Sequence, residues 1–134
     1  MEYQLYGFMI GTEIHFDIHN QRVYRLPSRH ADKSIVFVTI AFNKTMLQLF
    51  LYLLMHGRKR AVSKDELMQK IWEENNLSCS SQRVWQVVNN LTKKLVMLGL
   101  PIDFITNIKG SGYRVNYESI TPVYCKGDEL PQCV

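Results

Sequence analysis

The side chains with the clearest chemistry lie in the run SCSSQRVWQVVNNLTKKL, residues 78–95. Its apolar residues recur at helical spacing and form one stripe, made of Val84, Val88, Leu91 and Leu95. The other side of the same helix carries amides and a lysine: Gln82, Gln86, Asn89, Asn90 and Lys93. No acidic residue occurs between Ser78 and Leu100, although solvated helices often carry Glu and Lys in pairs.

Amide side chains offer a hydrogen-bond donor and an acceptor together, so they can contact adenine N6 and N7 in the DNA major groove. Lysine adds phosphate or guanine contacts, and a helix without acids can approach a polyanion closely. This face therefore predicts a helix that reads DNA bases. The alternative is a solvated helix face that happens to lack acids, and the helix alone leaves the two interpretations equal.

The size and charge of the chain are also consistent with a small DNA-binding domain. A chain of 134 residues with 46% hydrophobic content predicts one compact domain. The net charge is +4, and its distribution is uneven: residues 57–114 hold 10 basic and 5 acidic side chains, whereas the rest holds 6 basic and 7 acidic. The positive field is thus concentrated in the half that contains the amide-bearing helix.

The cysteines and the longest apolar run indicate the cellular compartment in which the protein is expected to work. Cys79, Cys125 and Cys133 form neither a disulfide framework nor a paired metal-ligand pattern, which favours a reducing cytoplasm. The apolar run 34–55 is a membrane candidate, but it has Asn43, Lys44 and Thr45 near its middle, where Lys alone costs about 3 kcal/mol in a bilayer. We interpret this run as a strand followed by a helix, and expect no membrane segment in this chain, so that a membrane tether requires the chain to be a fragment.

The elements that must position the helix begin with a small antiparallel sheet. Apolar and polar residues alternate from Ile14 to Ile18, and a second run follows a break at 19–21. A polar loop over 27–34 leads into the strand-like run 35–42. We therefore assign residues 1–42 to an N-terminal β-sheet.

Three helices are expected over residues 43–99. Asn43 is a candidate N-cap of the first helix, which ends at Gly57 and is apolar almost all round. SKDE at 63–66 is a capping box that opens a second helix to about Trp72. Ser80 or Ser81 caps the third helix, which ends near Gly99.

A β-hairpin with a basic, glycine-containing tip is expected over 102–117. The predicted fold class is α+β, a winged helix-turn-helix with an N-terminal antiparallel sheet, three helices and a C-terminal hairpin wing. Residues 1–118 form the predicted winged-helix DNA-binding domain, and residues 119–134 an irregular tail.

The order of these motifs resembles the OmpR/PhoB-type winged-helix DNA-binding domain, and most of all the ToxR/CadC-like regulators that lack a receiver domain. The similarity runs from about Ile10 to Tyr117, and its most specific parts are VSKDELMQKIW (62–72), VVNNLTKKL (87–95) and IKGSGYRV (108–115). The resemblance implies a sequence-specific transcriptional regulator of bacterial type, which binds double-stranded DNA as a homodimer or beside a partner regulator.

The resemblance also implies roles for individual residues. The third helix, 81–98, is the expected recognition helix, with base-facing Gln82, Gln86, Asn89, Asn90 and Lys93. Backbone or wing contacts are expected from Arg83, Lys94, Arg58, Lys59, Arg60, Lys109, Ser111 and Arg114. The loop 73–80 resembles the segment that touches RNA polymerase in some members of the family.

The same sequence is compatible with other functions. A protein-interaction module, using the face around Trp85 or the N-terminal sheet and with DNA contact secondary, remains an alternative, and so does a redox-controlled repressor using Cys125 and Cys133. His15, Asp17 and His19 lack a further ligand at metal-binding spacing, and no catalytic constellation stands out. We expect no enzyme activity, no cofactor and no metal.

Overall fold

The computed structural model describes residues 3–25 and 38–126. The elements in these ranges are β1 (Tyr3–Ile10), β2 (Ile14–Asp17), β3 (Arg22–Arg25), β4 (Val38–Ala41), α1 (Lys44–His56), α2 (Lys64–Leu67), α3 (Ser81–Met97), β5 (Ile105–Ile108), β6 (Gly112–Val115) and β7 (Ile120–Lys126). The chain divides into two compact units. One joins residues 1–42 to 118–134, and the other comprises residues 43–117.

The first unit contains a five-stranded sheet with the strand order β4, β3, β2, β1, β7, and every pairing in it is antiparallel. A row of apolar side chains crosses it, because Phe8 pairs with Phe16, Phe16 with Val23, and Val23 with Ile40. All four are buried. The period of two in the sequence thus places one apolar face on the sheet, as the alternation around Ile14–Ile18 predicts.

The expected irregular tail is wrong for residues 120–126. These residues form β7, which pairs with β1 along its length, with a register shift between Leu5 and Gly7. Ile120 is buried and lies opposite Ile10. Pro122 weakens the strand pattern in the sequence, but proline is tolerated in a strand at the edge of a sheet, where one side has no ladder partner. Cys125 therefore lies in a strand, whereas Cys133 and the predicted loop 27–34 lie outside the described residues.

The second unit is built around α1. The Asn43 side chain accepts a hydrogen bond from the Met46 amide over 2.8 Å, and Gly57 caps the other end, as expected. The buried side chains are Met46, Leu47, Leu49, Phe50, Leu53 and Leu54. The helix is less completely buried than its composition predicts, because Met55 is 55% exposed. No helix in the described ranges is long and apolar enough to cross a membrane.

The second helical segment changes geometry along its length. It starts as α2, continues as a π-helical turn over Met68–Trp72, and ends as a 3-10 turn over Glu73–Asn75. Ile71 and Trp72 are both buried, so the expected helix to about Trp72 is confirmed and extended by one turn. Asn76, with a φ of 59°, ends it in the left-handed conformation that Asn tolerates better than most residues.

Candidate nucleic-acid interface

The third helix begins and is oriented as its sequence predicts. Ser80 is the N-cap, since its hydroxyl accepts a hydrogen bond from the Arg83 amide over 3.2 Å. The predicted stripe is buried: Val84 and Leu91 are 0% exposed, and Val88 and Leu95 are also in the core. Burial of this stripe fixes which way the opposite face points.

The predicted base-reading side chains lie on the outward face of α3. Gln82, Gln86, Asn90 and Lys93 are exposed, and Asn89 is half-buried. None of the five side chains forms a hydrogen bond or ion pair with another residue in the described ranges. Their donors and acceptors are therefore free to meet a ligand. On the flanks, Arg83 is exposed, whereas Lys94 is half-buried and has an interaction partner.

The wing is the hairpin of β5 and β6, whose register pairs Ile105 with Val115 and Ile108 with Gly112. Its tip, Lys109 to Ser111, is exposed, as is Arg114. Tyr113 and Val115 are buried, so they belong to the core. The hairpin thus has a packed base and a solvent-facing tip that carries a lysine and a hydroxyl.

An additional bridge attaches the wing to the start of α2. Val62 and Tyr113 exchange two backbone hydrogen bonds of 2.7 and 2.8 Å, so Val62 acts as a third strand position. Gly112, with a φ of +125°, lies against this bridge: a Cβ there would come 2.2 Å from the Val62 carbonyl oxygen. Gly110, with a φ of +81°, has open space around it. Position 112 therefore requires glycine because of both its φ and the contact with Val62, whereas position 110 favours glycine because of its φ alone.

The basic run at 58–60 does not act as one group. Lys59 is exposed and Arg58 is half-buried, and neither forms an ion pair with a described residue. Arg60 instead binds Glu66 with two parallel hydrogen bonds of 2.9 and 2.8 Å. Its guanidinium already has an anionic partner, so a phosphate would have to compete for it.

Glu66 is the centre of this small network. Besides Arg60, its carboxylate accepts a hydrogen bond from the Tyr52 hydroxyl. The hydrogen bonds from Arg60 lower the pKa of Glu66 to about 2, and burial raises the pKa of Tyr52. Only half of the predicted capping box forms as expected: Ser63 accepts from the Glu66 amide over 3.0 Å, while the Glu66 side chain binds Arg60 and Tyr52.

The loop over 73–80 is exposed along most of its length. Leu77 is 49% exposed although its amide is anchored to the Trp72 carbonyl oxygen over 2.8 Å. Cys79 is half-buried, and burial raises the pKa of its thiol, which makes it a weak nucleophile. This loop therefore presents an apolar side chain on a fixed backbone.

Sequence reasoning missed three features of this surface. They are the pairing of Arg60 with Glu66, the bridge at Val62, and the position of Lys64 beside the groove that Trp85 and the wing line. The first had a local signal, since an arginine precedes a carboxylate by six residues across a turn. The other two join residues far apart in the chain and left no local pattern.

Three helices, a hairpin wing and an acid-free, exposed third helix define a winged-helix DNA-binding domain of the OmpR/PhoB type. Residues 39–115, more than half of the chain, match the family described as "Transcriptional regulatory protein, C terminal", and the chain belongs to that family. Members of this family are DNA-binding domains of transcriptional regulators, not enzymes.

One curated relative is similar to part of the chain. Protein RcaC of Microchaete diplosiphon is 35% identical over 86 residues, which is 58% of this chain and 13% of RcaC. The chain thus spans a small part of that relative.

Solved structures show the same fold. The DNA-binding domain of CadC from E. coli is similar with a TM-score of 0.67 and 17% identity, covering 91% of this chain and 100% of that domain. The AdeR DNA-binding domain, solved in complex with an intercistronic region, has a TM-score of 0.60 and 20% identity, covering 80% of this chain and 97% of that one. The C-terminal domain of the nisin resistance regulator NsrR has a TM-score of 0.53 and 23% identity, covering 86% and 96%.

Proposed function

We propose that this chain binds specific DNA sites as part of a bacterial transcriptional regulator, with α3 in the major groove. One observation carries the proposal. Five amide and lysine side chains stand on the outward face of a helix whose opposite stripe is buried, and none of the five has a hydrogen-bond partner in the described ranges. A face of this kind satisfies its polar groups best on base edges and phosphates.

Roles within α3 follow from side-chain chemistry. Gln86 and Asn89 read bases, because a carboxamide can pair with adenine in a bidentate way. Gln82 and Asn90 lie beside them and extend the readout. Lys93 contacts either a guanine or a phosphate, and Arg83 holds the backbone. An A·T-containing site follows from the excess of amides over arginines.

The wing supplies a second contact in the adjacent minor groove or on the backbone. Its support is the exposed tip, where Lys109 and Ser111 stand beyond a packed base, with Arg114 exposed on β6. Lys59 and Arg58 add backbone contacts from the turn after α1. Lys94 and Arg60 contribute less than the sequence suggests, since each already has an interaction within the protein.

Partners and location complete the proposal. Binding as a homodimer or beside a second regulator compensates for a recognition helix with few arginines. The loop 73–80, with its exposed Leu77, is a candidate contact for RNA polymerase. A regulator of this kind works in the bacterial cytoplasm on the nucleoid.

A second function is favoured by another observation. Val96 and Met97 at the end of α3 are 43% and 70% exposed, and Ile102 in the loop that follows is 78% exposed. Exposed apolar side chains mark protein-binding sites when they form one continuous patch. On this alternative the domain binds another protein as a co-regulator, and its DNA contact is secondary.

The experiment that tests the proposal is a titration of the purified protein into a pool of labelled random duplexes at two salt concentrations, with the bound fraction sequenced. We expect an enriched A·T-containing direct or inverted repeat with half-sites about one helical turn apart. Affinity for the enriched site should fall steeply with salt, because phosphate contacts release counterions.

Two results separate the candidates. Weak, salt-sensitive binding without any enriched sequence contradicts sequence-specific readout and favours the protein-binding alternative. In that case the binding of a protein partner should be insensitive to salt, because burial of apolar surface does not weaken as salt rises.

A further inference from the structure

A groove opens within the second unit between the start of α3, the start of α2 and the wing, with a volume of about 450 Å³. Its lining includes Lys64 and Asp65 from α2, Ser81 and Trp85 from α3, and Ile108 and Lys109 from the wing. Among the lining residues, Lys109 and Ser111 of the wing have a part in the proposed DNA contact, whereas Lys64, Asp65 and Trp85 have none. The groove therefore offers a surface that the base-reading face does not account for.

The apolar part of the groove is unusual for a surface helix. Trp85 is 54% exposed and Ile108 is 36% exposed, and both line the groove. An indole offers an apolar ring and a single N–H donor. The Trp85 indole makes no hydrogen bond to the described part of the chain, so its ring and its donor are both available.

The charged part of the groove comes from two different elements. Lys64 and Lys109 are exposed, and neither forms an ion pair with a described residue. Asp65 is the single acid among the described residues that line this groove. Two lysines around an apolar floor suit a ligand that is apolar in the middle and anionic on either side.

We infer that this groove holds one sugar–phosphate stretch of a DNA strand, with the Trp85 indole against a deoxyribose and with Lys64 and Lys109 on the flanking phosphates. The inference rests on the proposed function. A deoxyribose between two phosphates has the required pattern of apolar and anionic groups. Trp85 and Asn89 are four residues apart and so are neighbours on the helix surface. A strand held at Trp85 presents its bases to Asn89.

The occupant is DNA and not an apolar segment of a protein, because of the charges. A protein side chain would fill the floor at Trp85 and Ile108 but would leave two lysine ammonium groups without partners. Unpaired charges at the edge of a contact lower affinity when they lose water. The amide face of the same helix also points to a nucleic acid at this edge.

Fluorescence tests the position of Trp85 directly. The chain has two tryptophans, of which Trp72 is 4% exposed and Trp85 is 54% exposed. Acrylamide, a neutral quencher, therefore reports mainly on Trp85 in the free protein. We expect saturating DNA, with binding followed by the anisotropy of a label on the duplex, to protect this emission to nearly the level of a buried tryptophan.

Substitution tests the energetic role. Trp85→Ala should weaken binding to the selected duplex roughly tenfold, at the lower end of the range for a base stacked on an aromatic ring, and Trp85→Phe should restore most of the loss. Ile102→Ala is the matched control, because Ile102 is 78% exposed and does not line the groove. Circular dichroism and the urea midpoint show that each variant is folded.

The lysine of α2 gives an independent readout. Lys64→Ala should make the slope of log affinity against log salt shallower by about 0.9, the value for one phosphate contact. Lys70→Ala is its control, since Lys70 lies later in the same helical segment, beyond the groove lining, and pairs with Glu74 at 3.5 Å.

The outcomes separate this inference from the proposed function. Normal DNA binding by Trp85→Ala, with the wild-type indole still open to acrylamide on DNA, overturns the inference and leaves the proposed function standing. Failure of the wild-type protein to bind any duplex overturns the proposed function first. If Trp85→Ala abolishes the binding of a protein partner and leaves DNA affinity unchanged, the groove holds a protein side chain and the inference is wrong.

Discussion

Glu66 ties three side chains together beside the start of α2. Arg60 and Tyr52 donate to its carboxylate, and the hydrogen bonds from Arg60 are the main reason that its pKa falls from 4.5 to about 2. A folded-state pKa below the unfolded value means that ionised Glu66 stabilises the fold above about pH 4.5, and that this stabilisation is lost as the pH falls toward about 2.

The pH dependence of unfolding checks this network. Glu66→Gln should lower the free energy of unfolding at neutral pH, and its difference from wild type should shrink as the pH is lowered from about 4.5 to about 2. Urea titrations over this range measure both proteins. Asp65→Asn, a change of one exposed carboxylate in the same turn, is the control for net charge. A difference that stays constant with pH would show that Glu66 contributes by packing and not by its charge.

Base readers and phosphate contacts should respond differently to substitution. Asn89→Ala or Gln86→Ala should cost about 1 to 3 kcal/mol on the selected site and much less on random DNA, because the lost hydrogen bonds go to base edges. Lys93→Ala should weaken both to a similar extent if its role is phosphate contact. The measurement is the affinity of each variant for the two duplexes at one salt concentration. Equal losses on both duplexes for all three variants would contradict the assignment of base readers.

The conformation of the wing depends on the close contact between the backbones of Gly112 and Val62. Gly112→Ala would place a Cβ 2.2 Å from the Val62 carbonyl oxygen, whereas Gly110→Ala meets nothing within 4 Å. Both glycines have positive φ, so both substitutions carry backbone strain, which is about 1 to 2 kcal/mol for an L side chain in the left-handed region. We expect Gly112→Ala to cost at least about 2 kcal/mol more than Gly110→Ala, because the bridge to Tyr113 must shift.

Unfolding in urea measures the difference between the two glycine variants. Loss of slow exchange at the Val62 and Tyr113 amides in Gly112→Ala would locate the damage at the bridge. Similar stabilities for the two variants would mean that the approach of Val62 to the wing does not constrain position 112.

The last strand is a second element whose role is measurable. Ile120 is buried opposite Ile10, so Ile120→Ala should destabilise the protein by about 3 kcal/mol. Thr121→Ala, at the next and exposed position of the same strand, should cost less than about 1 kcal/mol. Thermal and urea unfolding compare the two. A neutral Ile120→Ala would mean that β7 does not contribute to the sheet in solution.

The elements that sequence predicted well have local causes. The Asn43 cap, the end of α1 at Gly57 and the core stripe of α3 each follow from residue types at a fixed spacing in one helix. β1 and β7 were not predicted as separate elements, because neither has a clean alternation and each becomes a strand only by pairing with the other. The same holds for Val62, whose partner Tyr113 lies on the wing.

Within the candidate site, the amide face of α3 was predictable because it lies on one helix. The groove at Trp85 was not, because it forms only when α2, α3 and the wing come together in the fold.

The distribution of charge over the whole chain matches the position of the family domain. Residues 57–114, which hold 10 basic and 5 acidic side chains, lie within the matched range 39–115. The remaining residues hold 6 basic and 7 acidic side chains, so they add no positive field of their own. A polyanion is therefore attracted to one part of the chain, and contacts made there should dominate the salt dependence of binding.

Removing single positive charges tests whether DNA is held by individual phosphate contacts or by the total charge of the protein. Lys59→Ala, Lys109→Ala and Arg114→Ala should each make the slope of log affinity against log salt shallower by about 0.9, since each removes one phosphate contact. Arg22→Ala changes the net charge equally but lies in β3 of the first unit, where it is exposed, and should leave the slope unchanged. Binding isotherms at four salt concentrations give the slopes. If Arg22→Ala shifts the slope as much as the other three, DNA is attracted by the total charge of the protein, and the assignment of individual phosphate contacts fails.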